Sequence, residues 1–181
     1  MAPIAHLRRF TIALLVALMA IAATVGSAFA APGPGNQPPA NPAGLTRAYR
    51  EQQTRLKLQD LRLKHAAEFA GKVEALVAKL KAQGKDTAAL ERALAEYRAA
   101  IERARSEWQA AAATLAKHAG FGDDGKVTNA DQARATLKDA HGHMEQTHKI
   151  AHEAFMALRK AMAEFRKANR GTPELPQPQE P

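Results

Sequence analysis

A regular spacing of apolar residues along Asp86 to Lys117 constrains the fold of this chain more than any other feature. The steps between these positions alternate between four and three, which is the a/d pattern of a coiled-coil helix. Small alanines at 104 and 111 fill the gaps between the large members of the row, which are Leu90, Leu94, Tyr97, Ile101, Trp108 and Leu115. One helix cannot bury such a row alone, so neighbouring helices must cover it.

The flanking segments repeat the spacing. In the first segment it passes through Ala66, Phe69, Val73, Leu76 and Leu80, and in the third through Ala133, Leu137, Ala140, Met144, Ala151, Phe155, Leu158, Met162 and Phe165. No proline occurs between Pro42 and Pro173. The sequence therefore predicts an all-α fold, an elongated antiparallel three-helix bundle with coiled-coil-like heptads over residues 45–169.

Glycine and capping residues predict the helix ends. We expect the first helix over about 46–83, with Gly84 in a left-handed turn. Asp86 or Thr87 should cap the second helix, which ends near His118. Thr128 and Asp131 have the spacing of a capping box for the third helix, which continues to about Asn169. Trp108, in phase with Ile101 and Leu115, is predicted to anchor the core.

The first 30 residues have the pattern of an export signal. Arg8 and Arg9 precede an uncharged apolar run, and Ala28-Phe29-Ala30 fits a signal peptidase site. We expect cleavage after Ala30 and a periplasmic or extracellular protein, while a retained membrane anchor is the alternative. Residues 31–44 are rich in proline and glycine and are predicted to be a disordered linker. Residues 170–181 contain further prolines and are predicted to be a disordered tail.

Charge and composition limit the range of functions that this chain can have. The chain has 26 Lys and Arg against 18 Asp and Glu, so loss of Arg8 and Arg9 with the signal leaves an excess of +6. It has no cysteine. Ser106 is the only serine after the signal, and no spacing of His and Asp suggests a catalytic triad, so we expect no enzyme. Export and the lack of aromatic platforms argue against nucleic-acid binding.

Four side chains of the third helix suggest a metal site. His141, Glu145, His148 and His152 recur at steps of four, three and four, which places them in one stripe beside the apolar face. Imidazoles on successive turns are suitable ligands for zinc or copper. If the chain folds back at residues 85 and 123, His65 of the first helix lies within a turn or two of the level of His141. His65 is therefore a candidate for a further ligand. The alternative is a solvated helix flank.

Basic and apolar residues alternate at the start of the first helix. Arg55, Lys57, Arg62 and Lys64 interleave with leucines that cover more than one helix face, namely Leu56, Leu58, Leu61 and Leu63. This pattern indicates a surface that binds a protein chain or an anionic envelope component. Solvated charge beside a broad core is the alternative, and the oligomeric state stays open.

The turn sequence KAQGKDTAALE, Lys81 to Glu91, resembles that of uncharacterised exported bacterial helical proteins. The bundle is more distantly similar to the Spy/CpxP class of periplasmic chaperones and to zinc-resistance-associated proteins. Their Leu-Thr-x-x-Gln hallmark begins here at Leu45-Thr46, with Tyr49 in place of the glutamine. The resemblance implies a chaperone-like binding protein, and no family site is carried over. Metal binding or sensing and a structural spacer remain the alternative functions.

Overall fold

Three long helices make up residues 41–169, which are the residues that the computed structural model describes. They are α1 (Pro42–Ala82), α2 (Ala88–Ala116) and α3 (Ala130–Ala168). They pack as an antiparallel three-helix bundle, which confirms the predicted all-α fold. The predicted signal peptide, most of the linker and the tail 170–181 lie outside the described residues.

Helix α1 begins at Pro42, inside the range predicted to be linker, so that boundary was wrong by three residues. Asn41 caps the helix, and its Oδ1 accepts a hydrogen bond from the Gly44 amide at 2.6 Å. Proline breaks a helix interior because it lacks an N–H group and clashes with the preceding turn. At the first helical position no intrahelical N–H bond is needed, so Pro42 starts the helix instead.

The turn between α1 and α2 follows the prediction. Gly84 adopts a φ of +74°, and the Lys85 amide donates to the Leu80 carbonyl at 3.1 Å to close the helix end. Thr87 is the cap residue of α2. Its hydroxyl donates to Glu91 Oε1 at 2.8 Å, while Asp86 accepts from the Ala88 amide at 3.1 Å. Thr87 therefore holds the cap position, while the side chain that accepts from a main-chain amide is that of Asp86.

The cap of α3 lies one residue later than predicted. Asn129, rather than Thr128, accepts hydrogen bonds from the amides of Asp131 and Gln132, both at 3.1 Å. In the preceding loop, Gly120 has a φ of +85°, and its carbonyl accepts from the amides of Thr128 and Asn129. That constraint on the loop orients Asn129, so the capping-box interpretation was incorrect.

Tyr49 closes the end of the bundle at which this loop lies. Its ring stacks on Phe121 with centroids 4.3 Å apart, and its hydroxyl donates to the Leu115 carbonyl at 2.9 Å. The residue that stands where the chaperone hallmark has glutamine is thus a core residue that joins α1, α2 and the loop.

The predicted apolar rows form the core, with two exceptions. Phe165 is half-buried near the end of α3, and Trp108, the predicted anchor of the core, is half-buried too. The Trp108 indole Nε1 donates to the Leu56 carbonyl at 2.9 Å. An indole N–H needs a hydrogen-bond partner, which orients the ring toward the main chain of α1 and leaves part of it exposed.

Two glutamines set the register between α1 and α3, which run parallel. Gln52 Nε2 donates to the Leu137 carbonyl at 2.9 Å, and Gln59 Nε2 donates to the Met144 carbonyl at 2.8 Å. Both pairs have the same offset along the two helices. Extended along both helices, this offset pairs position 65 with position 150, about two and a half turns beyond His141. That is further than the turn or two predicted for His65.

Candidate functional site

The predicted metal ligands lie on one stripe of α3 but do not converge. His148 and His152 stack with ring centroids 5.9 Å apart. His141 is half-buried, and Glu145 and His65 are exposed. Among the described residues no group of three or more His, Asp or Glu side chains is placed to hold a metal ion.

The length of the stripe explains this separation. A helix rises 1.5 Å per residue, so His141 and His152 start about 16 Å apart along the axis. Zinc needs all its ligand atoms within about 2.3 Å of the ion. The spacing thus brings together only neighbouring members of the stripe, of which His148 and His152 are in ring contact.

The charge of Arg62 on α1 acts on one member of this pair, His148. Burial, followed by the charges of His152 and Arg62, lowers the pKa of His148 below its ordinary value, while Glu145 acts in the opposite direction. Arg62 is half-buried, and it has no acidic side chain within ion-pair distance in the described part of the chain. Charges of both signs therefore act on His148.

The sequence did not single out the polar cluster around His143. Its Nδ1 lies 2.7 Å from Glu107 Oε2, and its Nε2 lies 3.9 Å from Asp139 Oδ1. Thr114 donates to the other Asp139 oxygen at 2.8 Å. On a helical wheel His143 lies on the flank opposite to His141, and this flank faces α2. That position could have indicated a partner of His143 on α2.

This cluster joins α2 to α3 through side chains of both helices. The Ser106 hydroxyl donates to the Glu102 carbonyl of its own helix at 3.2 Å. We interpret the cluster as a polar contact between helices.

The basic residues predicted to bind a partner do surround exposed leucines. Arg55, Lys57 and Lys64 are exposed and Arg62 is half-buried. Leu58 and Leu61 are each 50% exposed. We call these six residues the basic-leucine surface. The other two leucines of the predicted pattern lie inward, since Leu63 is buried and Leu56 half-buried.

Helical geometry orders the basic-leucine surface. At 100° per residue, Leu58 and Leu61 form a central strip, with Arg55 and Arg62 on one side and Lys57 and Lys64 on the other. Lys64 pairs with Asp60 at 2.7 Å. Arg55 and Lys57 have no acidic partner in the described residues. The surface therefore combines an apolar centre with positive edges.

Comparison with known proteins gave no relative: no family model, curated protein or solved structure matches the chain. No helix within residues 41–169 has an apolar stretch long enough to cross a membrane.

Proposed function

We propose that this chain is an exported, non-catalytic binding protein of the cell envelope that acts like a chaperone. The observation that supports this function is the exposure of Leu58 and Leu61 between two rows of cations on α1. The N-terminal pattern of Arg8, Arg9 and Ala28-Phe29-Ala30 supports export.

The basic-leucine surface fits a polypeptide that carries both apolar and acidic residues. Two leucines at a spacing of three supply contact area for apolar side chains, and burial of such area contributes roughly 25 cal/mol per Å². The surrounding cations attract acidic side chains and speed association, an effect that salt weakens. An unfolded or partly folded acidic protein presents both kinds of group.

An aggregation assay tests this function. The chain from Ala31 onward should suppress aggregation of a reduced acidic client such as α-lactalbumin, measured by light scattering. A Leu58→Ser, Leu61→Ser variant should lose most of that suppression and keep its melting temperature, because both side chains are half-exposed. Met156→Ser is the matched control, since Met156 is 45% exposed on α3, outside the surface.

Two outcomes would refute the proposal. One is a parent protein that does not slow aggregation, and the other is a leucine variant as active as the parent. The first outcome would favour the structural spacer, which needs no apolar surface.

Zinc or copper binding has less support than polypeptide binding. Of the predicted ligands, only His148 and His152 are in ring contact, and the positive charge of Arg62 acts on His148. Two imidazoles leave at least two positions of a tetrahedral zinc ion without protein ligands.

A further inference from the structure

The basic-leucine surface has a heptad register of its own on the exposed side of α1. Leu58 and Leu61 are each 50% exposed, and their spacing of three is that of the a and d positions of a coiled-coil heptad. In this register the four cations occupy the e and g positions, with Arg55 and Arg62 at e and Lys57 and Lys64 at g. Residues at e and g lie beside the partner helix of a coiled coil and determine which partner is accepted.

This outer row of leucines is short. Glu51 stands one heptad before Leu58, and Glu68 stands one heptad after Leu61; both glutamates are exposed. The remaining members of the row are exposed and polar as well, namely Thr54 and His65. The apolar part therefore covers one heptad, about 10 Å of helix. A contact of this size suits a transient partner rather than a permanent assembly.

The charges along the row favour an acidic partner and disfavour a second copy of this chain. A second copy would bring its own e and g cations against those of the first in both the parallel and the antiparallel arrangement, and like charges so placed repel. Asp60 is the only acidic residue between positions 52 and 67. It pairs with Lys64 at 2.7 Å, but the Lys64 side chain is 63% exposed, and an exposed pair contributes little. Lys64 therefore stays available to a partner.

Main-chain hydrogen bonding favours a helical partner over an extended one. The main chain of α1 is bonded within the helix over Pro42–Ala82, so it offers no edge with which an extended chain could pair. An extended chain laid over the leucines would lose water from amide and carbonyl groups that gain no protein partner, which is costly. A helix bonds these groups internally and presents apolar residues at the spacing of Leu58 and Leu61.

We propose that the basic-leucine surface binds its partner as an amphipathic α-helix, with apolar residues at a and d and acidic residues at e and g. The inference rests on the proposed function for its surface, and it specifies the conformation of the bound chain. An acidic protein that has formed some of its helices but not yet its core presents such a segment.

A designed peptide of three heptads tests this inference. It has leucine at a and d and glutamate at e and g, and it has little helix by itself because its glutamates repel one another in a peptide dimer. The chain from Ala31 onward should bind it, as measured by calorimetry, and circular dichroism should show more helix in the mixture than in the separate components. A peptide of the same composition with its leucines distributed around the helix should bind about tenfold more weakly.

Charge reversal on one edge of the surface tests the role of the cations. Lys57→Glu, Lys64→Glu should weaken binding of the acidic peptide about tenfold, and a peptide with lysine in place of glutamate along one edge should restore the affinity. The matched control is Lys72→Glu, Lys79→Glu, which makes the same charge change at the same spacing at exposed positions of α1 outside the surface. In about 0.1 M salt, which screens charges more than about 10 Å apart, this control should change the affinity by less than about twofold.

The peptide and aggregation assays separate this inference from the proposed function. Equal binding of the two peptides, or binding that adds no helix, would refute the helical partner. Suppression of α-lactalbumin aggregation by a protein that does not bind the acidic peptide would refute it too, while the proposed function would stand. Peptide binding by a protein that does not slow aggregation would support the helical partner and contradict the chaperone-like function.

Sedimentation and vesicle binding test the other occupants of the surface. A dimer of the parent that Leu58→Ser, Leu61→Ser dissociates would contradict the proposal, because the surface would then be an interface between copies. Binding to phosphatidylglycerol vesicles that the same variant abolishes, and that the acidic peptide does not displace, would assign the surface to a membrane and overturn the proposal as well. The parent should show neither behaviour.

Discussion

Trp108 shows what residue spacing can and cannot predict. Ile101 and Leu115, in phase with it on α2, are each 3% exposed. The spacing thus placed Trp108 on the correct face of the helix. It could not give the depth of burial, because that depends on where the indole N–H finds an acceptor, and the acceptor is a carbonyl of another helix.

The hydrogen bond of Trp108 can be tested by a change that keeps an aromatic ring. Trp108→Phe should lower the free energy of unfolding by about 1 kcal/mol, the typical contribution of one hydrogen bond. Trp108→Ala should cost more, because it also removes the packed ring. Chemical denaturation measures both. A Phe variant as stable as the parent would show that the bond to Leu56 contributes nothing.

His148 should make stability depend on pH. Burial and the charges of His152 and Arg62 lower its pKa in the folded state, against the opposite effect of Glu145. In the unfolded chain the imidazole titrates near 6.5. As pH falls below this value the unfolded state takes up the proton first, so stability is complete above about pH 6.5 and declines toward the lower folded pKa.

Denaturation at pH 7.5 and pH 5.0 checks this dependence. The parent should lose more stability over that interval than His148→Gln, which cannot titrate. The comparison between the two proteins removes the contributions of the other histidines. Equal losses in both proteins would mean that His148 is as easily protonated folded as unfolded.

At the scale of the elements, two glycines that look alike in sequence have different roles. A Cβ at Gly120 would lie 2.2 Å from the Ala133 amide nitrogen and 2.6 Å from the Asn129 carbonyl oxygen, and its φ is +85°. A Cβ at Gly142, in the middle of α3, would meet nothing within 4 Å. Only the first position therefore requires glycine.

Alanine substitutions should separate these roles. Gly142→Ala should raise stability by about 0.5–1 kcal/mol, since alanine is the better helix former. Gly120→Ala should lower it by more than about 2 kcal/mol, because both contacts are with main-chain atoms that cannot move aside. Thermal unfolding measures both. A mild effect at Gly120 would mean that the loop before α3 can take another conformation.

Gln52 and Gln59 on α1 each donate one hydrogen bond, and the amide oxygen of each is buried without a hydrogen-bond donor among the described residues. Gln59 donates from Nε2 to Met144, while its buried Oε1 has no partner within the described residues. An unpaired buried acceptor costs about 1–3 kcal/mol, as much as or more than the bond contributes. Gln59→Met should therefore leave the free energy of unfolding unchanged or increase it, as chemical denaturation would show. A clear loss of stability would indicate that Oε1 is hydrated.

At the scale of the whole molecule, the fold and the residues of the basic-leucine surface could be predicted, whereas the neighbours of the histidine stripe could not. Three rows of apolar residues and the lack of proline between residues 42 and 173 are enough to predict a helical bundle. The neighbours of a flank residue depend instead on the register between helices, and Gln52 and Gln59 set that register through main-chain carbonyls. Nothing in the sequence of α3 marks those acceptors, so the residues of α1 that lie opposite the histidine stripe could not be predicted.

Packing within the bundle is uneven, which should appear in amide hydrogen exchange. The interface between α2 and α3 is the most extensive of the three, and α1 has leucines at its surface. We expect amides of residues 50–62 to exchange faster than those of residues 137–158, since regions with fewer buried contacts open below the free energy of global unfolding. Uniform protection across the three helices would contradict this expectation.

The main-chain acceptors also bear on how this protein can change over evolutionary time. Tyr49, Gln52 and Gln59 each donate to a carbonyl group, and every residue type supplies a carbonyl. Substitutions at the accepting positions leave these bonds intact, provided that the helix and its packing persist. We therefore expect relatives to conserve the donor side chains on α1 while the residues that supply the carbonyl groups vary. Methods that search for paired substitutions would then not detect these hydrogen bonds.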